Sequence, residues 1–450
     1  MSTTAVDQGS LGVPGHWQQV SLRSLLRPRS ERNRIDLPLL SVLRSAGVIP
    51  RNRNKAENHN FIPDDLSNYK AVRQGDFVIN KMKAWSGSVG VAPMDGIVSP
   101  AYFVYEFLAD VDDRYMNQLL RGPEMRDAFA RISRGIRVVQ WDLNPQDIKD
   151  ILVSLPPLEE QRLIVRYLDN AELRIAQAIA GKNQVLSLLR EAKASIISEL
   201  VIGQSPNMKE TGVLGLGDVP SHWRVLRGKS VWRAVDVRST SGQEERLSVS
   251  SARGIVPRVS ANVTMFQAAS YVGHKVVRPG DLVINSLWAW AMGLGVSKHH
   301  GIVSPVYGIY ELVDSESDTR YLDYFLRSNV CQWQFQVRSK GIWKSRLSLT
   351  DEAFLDMTMV LPPLEEQRTI ANLIEERTCA IDKAMDAVTS EITLLREYRT
   401  KLISDVVTGK LDVREEAEKM SDVDPSELAA VLAGGSTNSD TEEDEDNADN

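Results

Sequence analysis

Apolar residues change their spacing twice along this chain, and both changes fall on the same eight letters. Up to Leu155, and again up to Leu361, short apolar runs alternate with polar turns, the pattern of small twisted sheets with a few helices. Beyond those points apolar residues recur at four- and three-residue steps, the pattern of long amphipathic helices. The junction is LPPLEEQR, at Leu155–Arg162 and again at Leu361–Arg368, 206 positions apart. Two prolines stop the preceding strand, and Pro157 and Pro363 suit a first helical turn whose amide has no partner in any case. Glu159–Glu160 and Glu365–Glu366 then put negative charge at the positive end of the helix dipole.

The first helical seam reads Ile164, Leu168, Ala171, Ile175, Ala178, Lys182, Val185, Leu189, Ala192 and Ile196. The second reads Ile370, Ile374, Arg377, Ile381, Ala384, Val388, Glu391, Leu395, Tyr398 and Leu402. Read as heptads, these predict two helices packed on each other. About 45 residues in each give a rod of roughly 65–70 Å. Gly203 and Gly409 stand where C-cap glycines end helices.

The whole chain is written twice. VPGHW (Val13–Trp17) is answered by VPSHW (Val219–Trp223), QGDFVIN (Gln74–Asn80) by PGDLVIN (Pro279–Asn285), and GIVSPAYFVYE (Gly96–Glu106) by GIVSPVYGIYE (Gly301–Glu311). The offset shifts from 206 to 205 and back, as expected when one-residue indels fall in loops of two copies of one fold. The copies differ most after the strand asparagine, with KMKAWSGSVGV following Asn80 and SLWAWAMGLGV following Asn285. Trp85 aligns there with Trp290, and Lys83 with Trp288. One scaffold presenting two surfaces gives that distribution of change. The expected division is a disordered N-terminus (1–12), a first domain (13–154), a first helix (155–203), a linker (204–218), a second domain (219–360), a second helix (361–413) and an acidic disordered tail (414–450) with a short helix at Pro425–Leu432.

Charge sharpens this picture. The net charge of −7 hides an acidic end: residues 411–450 carry 14 acidic and 2 basic side chains, leaving 1–410 at +5. A basic body is compatible with a polyanionic partner. Cys331 and Cys379 make neither a disulfide framework nor a metal motif, which fits a reducing cytosol. No apolar run is long enough to span a bilayer, and the first 30 residues lack the order of a signal peptide. The chain has no GxxxxGK[ST], HExxH or G-x-S-x-G motif, and NPQD (Asn144–Asp147) lacks the second proline and the aromatic that a base-flipping methyltransferase would use. His16 and His222 have no carboxylate neighbour in sequence, so catalysis by them is not expected.

Together the two LPPLEEQR helix starts, the two GD-[FL]-VIN strands, the two GIVSP segments and TGKLDV (Thr408–Val413) closely resemble the specificity subunit of type I restriction-modification systems. The resemblance implies an α+β chain: two α/β target-recognition domains separated by two long helices packed as an antiparallel coiled coil. It implies double-stranded DNA, two methyltransferase subunits and restriction subunits as partners, in the cytoplasm. It also implies a non-catalytic chain without a cofactor of its own, S-adenosylmethionine, ATP and Mg belonging to the partners. The DNA-contacting residues expected on this reading are Arg51, Arg53, Lys55, Lys81, Lys83, Trp85, Arg134 and Arg137 in the first domain. In the second they are Arg253, Arg258, Lys275, Trp288, Trp290, Lys340, Lys344 and Arg346. Two other classes stand beside it: a self-sufficient DNA methyltransferase or nuclease, and a coiled-coil scaffold that binds only proteins.

Overall fold

The structure, a computed structural model, describes residues 12–44, 46–51, 62–63, 65–135, 141–213, 215–251, 253–258, 270–341 and 347–435. It divides into two compact units, Met1–Asn183 with Ser390–Asn450, and Gln184–Thr389. Each unit holds one strand-rich domain, part of the long helix that follows that domain, and part of the other long helix.

In the first unit the GDFVIN segment supplies an inner strand, Phe77–Asn80, of a four-stranded antiparallel sheet. The order is Leu26–Pro28, Tyr102–Phe107, Phe77–Asn80, Val89–Val91, with Phe77 between Tyr105 and Val91. In the second unit Leu282–Ile284 lies between Gly308–Leu312 and Leu294–Val296, with Trp232–Ala234 at the edge and Leu282 between Tyr310 and Val296. Both strands are buried throughout, which is why they read as unbroken apolar runs. Asp76 and Asp281 close the turns before them by accepting the amides of Arg73 and Arg278, each at 2.8 Å. A second pairing closes each domain: Gln18–Ser21 with Leu152–Leu155, and Arg224–Arg227 with Thr358–Leu361. These last strands run into the two prolines, and the long helices follow at Leu158–Ile202 and Leu364–Val407.

The letters of LPPLEEQR have a task beyond the dipole. Glu160 accepts the Trp17 indole N–H at 3.0 Å, and its other oxygen lies 2.7 Å from His16 Nε2. Glu366 repeats this with Trp223 at 3.0 Å and His222 at 2.9 Å. Each histidine therefore has a carboxylate partner that sequence neighbours did not reveal, in a clamp that ties the start of a domain to the start of its helix. The next residue ties a second point. Gln161 donates to the Pro156 carbonyl (3.0 Å) and accepts the Asp112 amide (2.9 Å); Gln367 does the same with Pro362 and Asp318, both at 2.8 Å. Asp112 and Asp318 in turn cap the helices Asp113–Arg121 and Thr319–Leu326.

The end of the other helix docks on the same corner. Buried Tyr115 donates to the Val407 carbonyl (3.0 Å), and buried Tyr321 to that of Val201 (3.3 Å). Gly409 and Gly203 follow, at φ +77° and +69°. A Cβ on Gly409 would stand 2.5 Å from Pro14 and 3.1 Å from Trp17; on Gly203 it would stand 2.6 Å from Trp223. Only glycine satisfies both the backbone and the aromatic face.

Within each unit the two helices run antiparallel, shown by Glu172–Arg399 (3.0 Å) and Lys182–Glu391 in the first and by Lys193–Asp382 in the second. The seven-residue repeat holds, with every other position offset by one. Ile175, Lys182, Leu189 and Ile196, and Ile374, Ile381, Val388, Leu395 and Leu402, are buried or half-buried as expected, whereas Ala178, Val185, Ala192, Arg377, Glu391 and Tyr398 of the expected seam are exposed. The next residues, Ile179, Leu186, Lys193, Thr378, Ile392 and Arg399, turn inward in their place, so the buried stripe keeps the 4-3 spacing of a coiled coil.

Two further expectations change. The 204–218 linker is partly ordered, with Met208–Glu210 paired to Asp218–Pro220. The tail, expected to be disordered apart from a short helix at Pro425–Leu432, holds that helix as Pro425–Gly435 and a further one at Arg414–Glu418, with Val413, Ala417 and Leu428 buried. Residues 436–450 and 1–11 lie outside the described residues.

The clamp is testable. Replacing Glu160 or Glu366 by Leu leaves a buried indole N–H without its acceptor and is expected to cost about 2–3 kcal/mol, read as a lowered urea midpoint. The Gln variants keep an acceptor for the indole and should lose less. Equal midpoints for wild type and the Leu variants would show that the clamp contributes nothing.

Candidate nucleic-acid interface

The divergent stretch is a loop built identically in both domains. The strand asparagine turns the chain, Asn80 accepting the Met82 amide and Asn285 the Leu287 amide, each at 3.2 Å. A 3-10 turn follows, Ala84–Ser86 or Ala289–Ala291. The aligned tryptophans fasten it: Trp85 Nε1 donates to the Met82 carbonyl (3.1 Å), and Trp290 Nε1 to that of Leu287 (3.0 Å). A hairpin beside the loop is held the same way, with the Leu143 amide on the Lys81 carbonyl (3.1 Å) and the Leu349 amide on that of Ser286 (2.9 Å).

On this frame the first domain gathers Lys81, Trp85 and Arg134. Lys81 pairs with Asp142 (3.1 Å), Arg134 faces Asp142 across the hairpin, and Trp85 meets Trp141 edge-on at 5.7 Å. Lys83 is half-buried at the start of the 3-10 turn. In the second domain Trp288 takes the place of Lys83, 58% exposed and stacked on Trp290 at 6.4 Å, with Lys340 on the adjoining hairpin opposite Ser348. Thus Trp85 and Trp290 are clips of the loop, and Trp288 is the aromatic it projects.

The remaining expected contacts lie elsewhere. Arg51 and Arg258 follow equivalent hairpins, their amides on the carbonyls of Leu39 and Arg246, and Arg253 is exposed at a hairpin turn. Lys275 donates to the Tyr307 carbonyl (2.8 Å), as Lys70 does to that of Tyr102 (2.5 Å), so this pair supports a turn. Arg53, Lys55, Arg137, Lys344 and Arg346 lie outside the described residues. The sequence reading named Lys275 but passed over Arg238, bridged to it backbone to backbone, and the equivalent pair Arg32 and Lys70. Burial, then the charges of Arg32 and Lys81, hold the Lys70 ammonium below its usual range, marking a positive cluster. Alignment of the two copies would have found it, since Arg32 and Arg238 are 206 apart.

No family model matches the chain. The specificity subunit of the type I restriction enzyme MjaVIII from Methanocaldococcus jannaschii is 22% identical over 323 residues, 68% of this chain and 71% of that protein. Its curated relatives are type I restriction enzyme specificity subunits. A chain from a structure of complex assembly and conformational transition in the type I R-M system aligns with a TM-score of 0.57 at 16% identity, covering 89% of this chain and 99% of that one. The resemblance read from the duplicated motifs is borne out, and so is the α+β fold class with its two long packed helices. The likeness to the solved chain is one of fold.

The second loop carries a local strain. Where the first domain has Gly87 at φ +97°, the second has Met292 at φ +64°. A side chain in the left-handed region costs on the order of 1 kcal/mol. Met292→Gly should therefore raise the thermal stability of the second domain, and Gly87→Met should lower that of the first by about the same ~1 kcal/mol. Thermal denaturation showing both changes neutral would contradict the assignment of strain.

Proposed function

We propose that this chain is the DNA-recognition subunit of a type I restriction-modification complex, with residues 13–154 reading one half of a bipartite target and 219–360 the other. The observation that carries the reading is the distribution of change between the copies. The clamps at Glu160 and Glu366 and the clips at Trp85 and Trp290 are the same, while the loops differ: the second projects exposed Trp288 where the first has Lys83 with its ammonium buried, and the first has Lys81 where the second has Ser286. Lysines and arginines would hold phosphates and fix register, and the loop and hairpin side chains would read base edges in the major groove. A lysine can reach an acceptor such as guanine O6 or N7, whereas an exposed indole suits an apolar edge such as the thymine methyl. The long helices set the gap between half-sites and dock two methyltransferase subunits, with restriction subunits joining the full complex in the cytoplasm. Methyl transfer and ATP-driven cleavage, with S-adenosylmethionine, ATP and Mg, belong to those partners.

Exchanging 13–154 for the matching domain of a relative tests the division of labour. One half of the methylated sequence should change and the other persist, read by methylome sequencing of cells carrying the hybrid. A hybrid that folds but alters both halves would contradict independent reading.

The gap has its own test. Because the stripe repeats every seven residues, an insertion of two heptads in each helix, after Gly181 and after Ala387, keeps the faces in phase. It adds about 21 Å, or roughly six base-pair steps at 3.4 Å. The half-sites should move apart or binding should fail. Methylation of the original site at the original gap by the lengthened protein would refute a spacer role.

A further inference from the structure

The two units are copies, yet one helix face is covered and, among the described residues, its counterpart is bare. In the first unit the chain beyond Val413 folds back on the long helix Leu158–Ile202. Arg166 Nε donates to Asp422 at 2.7 Å, and Asn170 Nδ2 to the Ser421 carbonyl at 2.9 Å. The helix Pro425–Gly435 then turns Leu428, 6% exposed, inward, with Val431 and Leu432 half-buried beside it. Pro425 and Leu428 form one wall of a cavity of about 700 Å³, whose other walls include Val165, Leu168, Asp169 and Arg114.

The second unit gives the same face without a cover. Arg166, Asp169 and Asn170 correspond to Asn372, Glu375 and Glu376. The first three are half-buried or buried, and the second three are all exposed. Arg320, the counterpart of Arg114, reaches Asn372 (2.9 Å) and Glu375 (3.5 Å) at the surface. The difference follows from the chain path. After Gly203 the chain turns back to its own domain, where Gly215 meets Trp333, whereas after Gly409 it continues onto the helix.

We propose that Arg414–Gly435 is a built-in cover over one of two equivalent docking faces, so that a methyltransferase subunit binds first at the bare face and second only after helix Pro425–Gly435 has swung away. This rests on the docking role of the long helices given above. The cover is built to open in two parts. Its inner turn, Arg414–Glu418, is anchored by fully buried Ala417. Its outer helix is held by Leu428 and by an ion pair whose Asp422 side chain is 80% exposed, a kind of contact that adds little. Burial, opposed by Arg114 and reinforced by Glu172 and Asp112, pushes the Asp169 carboxyl up to about 6, as expected for a face kept from water. A face open only part of the time binds with its affinity reduced by that fraction.

The test is a titration of the full chain with its purified methyltransferase subunit, read by native mass spectrometry. It is repeated with a chain ending at Met420 and with full-length Leu428→Asp, each checked for folding by circular dichroism. The full chain should accumulate a one-to-one species, with second binding at least about ten-fold weaker than two identical sites would show. In that species hydrogen exchange should slow at 368–380 and not at 162–174. Both variants should bring the two steps to the ratio expected of equal sites. Retention of the gap in both variants, loss of the second methyltransferase subunit on truncation, or equal steps in the full chain would each overturn the cover. If no form binds a methyltransferase subunit at all, the docking role falls, and this inference with it.

Discussion

A single carboxylate in each copy holds domain and helix together. Glu160 and Glu366 sit in the first turn of a helix, where the free amides already favour an anion. Each spends its two oxygens on a tryptophan and a histidine from the start of the domain. The buried indole that results, Trp17 or Trp223, becomes the surface on which the end of the opposite helix lands. From that one arrangement follow the glycine at 409 or 203, the tyrosine that receives the last carbonyls, and the glutamine that ties the next turn.

Such a corner separates what must stay from what can vary. The side chains that hold the frame bond to backbone or to each other and are the same in both copies. The side chains between Asn80 and Val89, and between Asn285 and Leu294, share the clip, and the first stretch adds the Lys81–Asp142 pair and the Ser86 hydroxyl on the Lys83 carbonyl. That leaves Lys83 in one loop and Trp288 in the other, on backbones so alike that the second tolerates a methionine in a glycine conformation. A frame of this kind lets a recognition surface change without renegotiating the core.

Much of this was legible in the sequence because the chain repeats itself. The strands of GDFVIN and GDLVIN, the proline stop, the long helices and their glycine ends all follow from local chemistry. The clamp was not legible, since His16 and Glu160 are 144 residues apart and nothing local pairs them. The heptad reading placed Ile175, Leu189, Ile374 and Leu402 correctly but took Ala178, Val185, Arg377 and Glu391 where the next residue packs, because a 4-3 and a 3-4 reading of one repeat share every other position. In the tail the helix at Pro425 was legible and the one at Arg414–Glu418 was not, because acidity dominates the composition there, whereas Val413, Ala417 and Leu428 are the residues that bury. Among the expected DNA contacts, Lys275 looked like any surface lysine, and only its bond to the Tyr307 carbonyl shows it supporting a turn.

The corner also bears on covalent order. In the second unit the helix end at Gly203 and the domain start at Trp223 are joined by the peptide chain through 204–218. In the first unit the helix end at Gly409 and the domain start at Trp17 meet by contact alone, with a Cβ on Gly12 falling 3.5 Å from Lys410 Cγ. The same junction is therefore made once with a covalent link and once without. The packing of the corner does not depend on whether its two segments are consecutive in the chain.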